Sequence, residues 1–145
     1  MKRLREIIKC ILCGMLCVFM LSNVAYAKDE IEKYEYTEDE IYEIASLMCV
    51  EARTQSDLGK KLVVDVVLNR VDSDEFPNTL EKVLTQKNQF TEVRGTPTEE
   101  EINLVLEEIN ERTNSDVLFF KTKNYHSFAV PVIQEGKHYF SGLNS

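Results

Sequence analysis

The chain lacks an apolar segment long enough to cross a bilayer, which takes about 20 residues. Its most apolar run, Ile11–Leu21, follows several basic residues and precedes Ala25-Tyr26-Ala27, which has the small-x-small pattern of a cleavage site. We therefore expect residues 1–27 to be a secretory signal peptide, with an uncleaved anchor as the alternative. Residues 28–37 are charged and aperiodic, and are predicted to form a flexible lead-in to a single domain over residues 38–145.

Cysteine is also scarce. Three of the four cysteines lie in the predicted signal peptide, and only Cys49 would remain in the mature protein. This excludes an internal disulfide bond in that product. A free cysteine can act as a nucleophile, but no cationic residue stands next to Cys49, and unpaired cysteines are usually small buried hydrophobes. We expect Cys49 to be buried.

Basic residues are few. Residues 1–27 hold four of the 17 basic and one of the 25 acidic residues, so the mature chain has 13 against 24 and a net charge of −11. Nucleic-acid binding depends on basic contacts to phosphate, and this class of partner is therefore excluded. The charge suits a soluble, secreted and extracytoplasmic protein. Any binding to an anionic polymer would have to come from a local groove.

Metal-binding patterns are absent as well. The two histidines, His126 and His138, are twelve positions apart, without the spacing of a local ligand pair. Zinc enzymes use clustered histidine and carboxylate ligands, so we predict no metal and no other cofactor. His138 is expected to hydrogen-bond within the fold or to line the edge of a cleft. Tyr125 is expected to offer a stacking face to a ligand or to be a half-buried aromatic residue.

One carboxylate stands out among the residues that are present. Glu51 follows Met48 by three positions and Ile44 by seven, so it shares the apolar face of a predicted helix. Glutamates are rarely buried unless they are paired or functional, and a carboxyl held against apolar surface resists ionisation. The pattern favours a general acid. The alternative is a frayed helix end at which Glu51 points into water.

The remaining pattern predicts helices followed by a small β region. Thr98 and Glu101 have the spacing of a capping box, and the second helix is apolar on more than one side, from Leu58 onward, as is typical of a core helix. This order of elements predicts an α+β, mostly α, single domain with a small C-terminal β region. The predicted helices are 38–53, 58–71, 79–85 and 99–112, and the predicted strands are 117–120, 129–133 and 137–140.

Several polar residues in these helices have simple structural interpretations. Asp65 lies inside the second helix, where a salt bridge is the plainest explanation. Asn69 and Arg70 end that helix and are expected to support the scaffold. Glu108 belongs to an acidic run in the last helix that is typical of a solvent-exposed face.

Six short stretches occur in order between Ile41 and Phe140. They are Glu51-Ala52-Arg53, Val66–Val71, Phe76–Thr79, Gln89-Phe90-Thr91, Leu118–Phe120 and Gly136-x-His138-x-Phe140. Together they resemble the germination-type, or spore cortex-lytic, cell-wall hydrolases. The resemblance implies a lysozyme-like, lytic transglycosylase-like fold. It also implies cleavage of the MurNAc–GlcNAc strand of peptidoglycan, including spore cortex lysis during germination.

The resemblance also implies roles for individual residues. Glu51 matches the family's catalytic glutamate, and the segment from Gln89 to Glu92 is expected near the cleft. There Gln89 can hydrogen-bond an N-acetyl group or a sugar hydroxyl, and Phe90 can stack on a sugar or plug the core. Glu92 is a candidate second carboxylate. Tyr125 and His138 complete the expected set of substrate-binding residues.

Two departures from the family pattern lie beside Glu51. Val50 stands where the family often has glycine or alanine, and Thr54-Gln55 stands where it usually has Gly-Glu. We therefore expect the loop after the catalytic helix to be reshaped, with more effect on substrate preference than on catalysis.

Three classes of function remain open from the sequence. A lytic transglycosylase needs a single acid in principle, since the muramic C6 hydroxyl attacks its own anomeric carbon at high effective concentration, whereas hydrolysis normally uses two carboxyl groups. A peptidoglycan amidase and a catalytically lapsed wall-binding module are the alternatives. The expected partner is the peptidoglycan glycan strand, bound by a monomer. A companion wall-targeting or regulatory protein would be one route to targeting.

Overall fold

The computed structural model describes residues 36–144, so the predicted signal peptide and most of the lead-in lie outside the described residues. A compact unit begins at Glu38. The predicted order of helices followed by a small β region is confirmed. The elements are α1 (Glu38–Glu51), α2 (Asp57–Asp72), α3 (Leu80–Leu84), α4 (Glu99–Asn110), β1 (Phe119–Thr122), β2 (Val130–Glu135) and β3 (His138–Gly142). In this part of the chain, no helix is both long enough and apolar enough to cross a membrane.

The apolar face predicted for α1 is buried. Ile44, Ala45 and Met48 have no exposed surface, and Ile41 is nearly buried. The helix ends at Glu51, two residues before the predicted end. Glu51 is thus the last helical residue on a face that packs into the core.

α2 is the central helix, because α1, α3, α4 and β1 all pack against it. Every residue from Leu62 to Arg70 is buried, which explains why the sequence is apolar on more than one side. Leu58 departs from that pattern, since it lies in the exposed first turn of the helix. Ser56 caps the helix by accepting a hydrogen bond from the N–H of Gly59 at 3.1 Å.

The three strands form an antiparallel sheet in the order β1-β3-β2. Phe120 lies opposite Phe140, and Thr122 lies opposite His138. Side chains alternate between the two faces of a strand, so these four share one face. Tyr139 and Phe119 belong to the other face, and this division decides which aromatic residues can lie near His138.

Asp65 and Glu108 form a buried carboxyl pair between α2 and α4, which corrects both sequence interpretations. Neither residue is more than 1% exposed. Asp65 forms no salt bridge among the described residues; its Oδ2 accepts the N–H of Asn114 at 2.8 Å. Glu108 accepts the N–H and the hydroxyl of Thr113 at 2.6 and 2.9 Å. Burial and the neighbouring Glu108 raise the pKa of Asp65 to about 8, so Asp65 holds a proton at neutral pH.

Candidate active site

Glu51 lies where α1 meets the loop of residues 86–96. Its side chain is half-buried, and its Oε1 accepts the backbone N–H of Thr91 at 2.7 Å. Within residues 36–144, Oε2 accepts no hydrogen bond and Glu51 forms no ion pair. One oxygen is therefore held in place, while the other is available to a bound molecule.

The loop of residues 86–96 is fastened to α1 by its own backbone. The N–H of Gly95 donates to the carbonyl of Ser46 at 3.0 Å. A Cβ at Gly95 would lie 2.7 Å from the Sγ of Cys49, so only glycine allows the two backbones to approach this closely. Arg94 donates to the carbonyl of Thr91 at 2.6 Å and pairs with Glu43 at 3.4 Å. These contacts set the position from which the amide of Thr91 reaches Glu51.

Arg70 joins this loop to the sheet. Its Nε donates to the carbonyl of Leu118 at 2.7 Å, and its Nη2 donates to Oε1 of Gln89 at 3.0 Å. The guanidinium also lies over the rings of Phe76, Phe90 and Phe119, with centroids at 4.9, 5.0 and 5.3 Å. Burial lowers the pKa of Arg70 to about 10, so the group stays charged at neutral pH. The scaffold role predicted for Arg70 corresponds to these hydrogen bonds and ring contacts.

His138 lies on the same side of the sheet as the loop and is close enough to sense the charge of Glu51. It is 4% exposed, with ring centroids of Phe120 at 5.0 Å and Phe140 at 5.8 Å. Burial lowers the pKa of His138, and the nearby charge of Glu51 opposes this effect. The imidazole is therefore neutral at pH 7. Its Nδ1 is buried and has no hydrogen-bond partner in the described part of the chain.

The other predicted substrate-binding residues are placed unequally. Gln89 is exposed and held by Arg70. Phe90 is half-buried, 6.3 Å from the ring of Phe120. Glu92 is exposed, and it makes no hydrogen bond or ion pair within residues 36–144. Tyr125 packs edge-on against Tyr139, with the ring centroids 5.1 Å apart. The side chain of Tyr139 belongs to the sheet face opposite His138.

The sequence interpretation missed the amide of Thr91. Every residue type carries a backbone N–H, so no pattern of side chains could have revealed this contact. The nearest available signal was the Gln89-Phe90-Thr91 stretch itself, which predicted a loop near the cleft but not which of its atoms would face Glu51.

The loop after α1 is held by the turn between β2 and β3. Oε1 of Gln55 accepts the N–H of Lys137 at 3.3 Å, and Ser56 donates its hydroxyl to Glu135 at 2.7 Å. The side chain of Gln55 also occupies the space that a Cβ at Gly136 would need, and Gly136 has a φ of +55°. The departure from the family pattern at Gln55 is therefore matched by a specific contact with the sheet.

Neither a nucleophilic cysteine nor a metal site is assembled here. Cys49 is buried, as predicted, and its Sγ lies 3.7 Å from the carbonyl of Thr96. Across residues 36–144, no group of three or more histidine, cysteine or acidic side chains is placed to hold a metal ion.

The fold and site together define a mostly α, lysozyme-like α+β domain that presents one anchored glutamate beside a neutral histidine. The chain matches the Cell Wall Hydrolase family over residues 54–141, and it belongs to that family. The matched range begins three residues after Glu51.

Relatives and solved structures agree with this membership. Two curated relatives, both spore cortex-lytic enzymes of Bacillus cereus, are 33% identical in a 116-residue alignment that covers 72% of this chain. The chain spans 45% of the length of each. The catalytic domain of the Bacillus cereus SleB protein superposes with a TM-score of 0.66 at 28% identity, covering 73% of this chain and 91% of that one. The catalytic domain of the germination-specific lytic transglycosylase SleB of Bacillus anthracis gives 0.65 at 28% identity, with coverages of 74% and 97%. These matches confirm the predicted fold class.

Proposed function

We propose that this protein is an extracytoplasmic peptidoglycan-cleaving enzyme that cuts the MurNAc–GlcNAc strand as a lytic transglycosylase, with Glu51 as both acid and base. Family membership and the likeness to spore cortex-lytic enzymes support the peptidoglycan substrate. The likeness to a germination-specific lytic transglycosylase supports the reaction type and a role in cortex lysis during germination.

The observation that carries the proposal is the asymmetric environment of the Glu51 carboxyl. Because the N–H of Thr91 holds Oε1, the orientation of the carboxyl group is set, and Oε2 is the oxygen that would deliver a proton. Oε2 donates that proton to the glycosidic oxygen as the bond from the anomeric carbon breaks. The resulting carboxylate then accepts the proton of the muramic C6 hydroxyl, whose oxygen attacks the anomeric carbon and closes an anhydro ring. The nucleophile belongs to the substrate, so no second carboxyl group is required.

The side chains around Glu51 would orient the strand. Gln89 offers an amide to an N-acetyl group or hydroxyl, and its tie to Arg70 keeps it from rotating freely. Phe90 gives an apolar edge beside it. His138 is enclosed by Phe120 and Phe140. It lies near the carboxyl group of Glu51 and, being neutral, places no positive charge beside it.

The test is an analysis of the products formed from purified peptidoglycan by the domain of residues 38–145. Mass spectrometry should find muropeptides with anhydro ends. Reducing muramic ends would instead indicate hydrolysis, and free stem peptides would indicate an amidase. Sedimentation with the wall without any product would indicate a wall-binding module, and each of these three results would overturn the proposal.

A further inference from the structure

A second aromatic cluster lies apart from His138 and is not used by the proposed chemistry. We call it the distal platform and define it by four residues. Phe119 contacts Phe128 edge-on at 5.3 Å and Phe76 at 5.7 Å. His126 lies 5.8 Å from Phe119 and 4.9 Å from Phe128. Phe128 is 66% exposed, so the platform presents a large apolar ring to solvent.

The platform is formed by an edge strand of the sheet and the loop that follows it. Phe119 begins β1, an edge strand, and its side chain belongs to the face opposite Phe120. The loop after β1 bends at Lys123, which has a φ of +80°, and turns back where the N–H of Ala129 donates to the carbonyl of His126 at 3.4 Å. This turn brings His126 and Phe128 over Phe119.

Arg70 makes the platform continuous with the candidate active site. One guanidinium contacts Phe119 and Phe76 of the platform and also Phe90 of the loop beside Glu51. The same guanidinium holds Gln89. Arg70 is only 3% exposed, so its guanidinium joins the two aromatic groups from inside the domain.

The chemistry of the platform fits a sugar ring better than a charged group. Aromatic rings bind apolar surfaces such as the C–H face of a pyranose through dispersion and burial. The chain has a net charge of −8, so it offers an anionic wall polymer no general electrostatic attraction. Contacts made by uncharged aromatic rings do not depend on electrostatic attraction.

We propose that the distal platform is a glycan subsite in which Phe128 stacks on a pyranose ring of the strand that is cut at Glu51. This inference rests on the proposed function. It adds that strands long enough to reach both Glu51 and Phe128 bind more tightly than short ones.

The test compares Phe128→Ala with wild type on glycan strands stripped of stem peptides, both long and shortened to a few sugars. Phe128→Ala should raise KM for long strands roughly tenfold, leave kcat unchanged and leave the cleavage of short strands unchanged. Phe128→Tyr should restore the wild-type KM, since it keeps the ring. Tyr42→Ala is the matched control, because Tyr42 is an aromatic residue of α1 that is 44% exposed; it should have no effect.

The outcomes separate the two proposals. If wild type cleaves long strands and Phe128→Ala has the same KM, the platform is not a glycan subsite, although the proposed function stands. Strands that keep their stem peptides are assayed as well. If Phe128→Ala weakens cleavage only of these strands, the platform binds peptide and the inference is wrong. If wild type cleaves no glycan, both proposals fail. The melting temperature of each variant shows whether a loss reflects unfolding.

Discussion

Two acidic environments in this protein look alike in sequence and differ in structure. Glu51 and Asp65 each interrupt an apolar helical face. Asp65 is fully buried against Glu108, and its only described donor is the N–H of Asn114. Glu51 is half-buried. One of its oxygens is held by Thr91, and the other has no hydrogen-bond partner among residues 36–144. A carboxyl among apolar residues therefore does not identify a catalytic acid by itself.

The two sites differ in the solvent exposure of the carboxyl group and in the contacts that hold it. The Asp65–Glu108 pair holds residues 113 and 114 against α2 and α4 and is buried from solvent, so we assign it a structural role. Glu51 is supported from one side by a docked loop and is open on the other. The following changes test this division, from the largest expected effect to the smallest.

Glu51→Gln should reduce cleavage of glycan strands roughly a thousandfold, because an amide cannot donate the proton that general acid catalysis needs. The melting temperature should change little, since the amide oxygen can still accept the N–H of Thr91. Initial rates on purified glycan give the measurement. Glu92→Gln is the matched control, because Glu92 is an exposed carboxylate in the same loop. A larger loss for Glu92→Gln would reverse the assignment.

Glu108→Ala should lower the free energy of unfolding by about 3 kcal/mol, since it removes a buried side chain that accepts the N–H and the hydroxyl of Thr113 and leaves a cavity in its place. Urea denaturation measures this change. Glu107→Ala is the control, because Glu107 is the residue next to Glu108, its side chain is 59% exposed and its carboxylate pairs with Lys61 at 2.7 Å. Its loss should stay below about 1 kcal/mol. Equal losses would mean that Glu108 is not a structural anchor.

Gly95→Ala should lower kcat/KM about tenfold, because the new Cβ would press on Cys49 and move the loop that positions Glu51. Cys49→Ala removes the obstructing sulfur, so the double variant should recover part of the activity. Steady-state kinetics of the three variants test this. Cys49→Ala alone should remain active; its inactivation would point to a cysteine nucleophile and contradict the account.

Asp65→Asn should change how stability depends on pH. The pKa of Asp65 is about 8 in the folded protein and 3.8 without its partners. Between these values the folded state binds more protons than the unfolded state, so this group makes the free energy of unfolding fall as pH rises, until the slope ends above about pH 8. Asparagine mimics the protonated acid and should remove the slope, which is about 1.4 kcal/mol for each pH unit. Urea denaturation from pH 5 to 9 tests it, and an unchanged slope would show that Asp65 is not protonated at neutral pH.

The fold was predictable from the sequence because it depends on periodicity. The spacing of Ile44, Met48 and Glu51 revealed which face of α1 is buried, and the capping box at Thr98 marked the start of α4. The central position of α2 followed from its apolar composition. These signals are local, and the core of this domain is built by the helices that carry them.

Contacts across the chain were not predictable in the same way. The acidic run in α4 has the pattern of a solvent-exposed face, yet Glu108 turns inward because Thr113, Asp65 and Lys61 meet it there. The salt bridge expected for Asp65 was wrong because its partner is another acid. The anchoring of Glu51 by Thr91 joins residues 40 positions apart through a backbone group, which leaves no trace in composition or spacing.

The central claim is that Glu51 alone suffices because the nucleophile is part of the substrate. Cleavage of purified glycan strands in water labelled with heavy oxygen, followed by mass spectrometry of the new ends, tests this directly. The account predicts anhydro ends that carry no heavy oxygen, since water does not attack the anomeric carbon. Reducing ends that carry the label would show that water is the nucleophile, and would contradict a single-carboxyl mechanism.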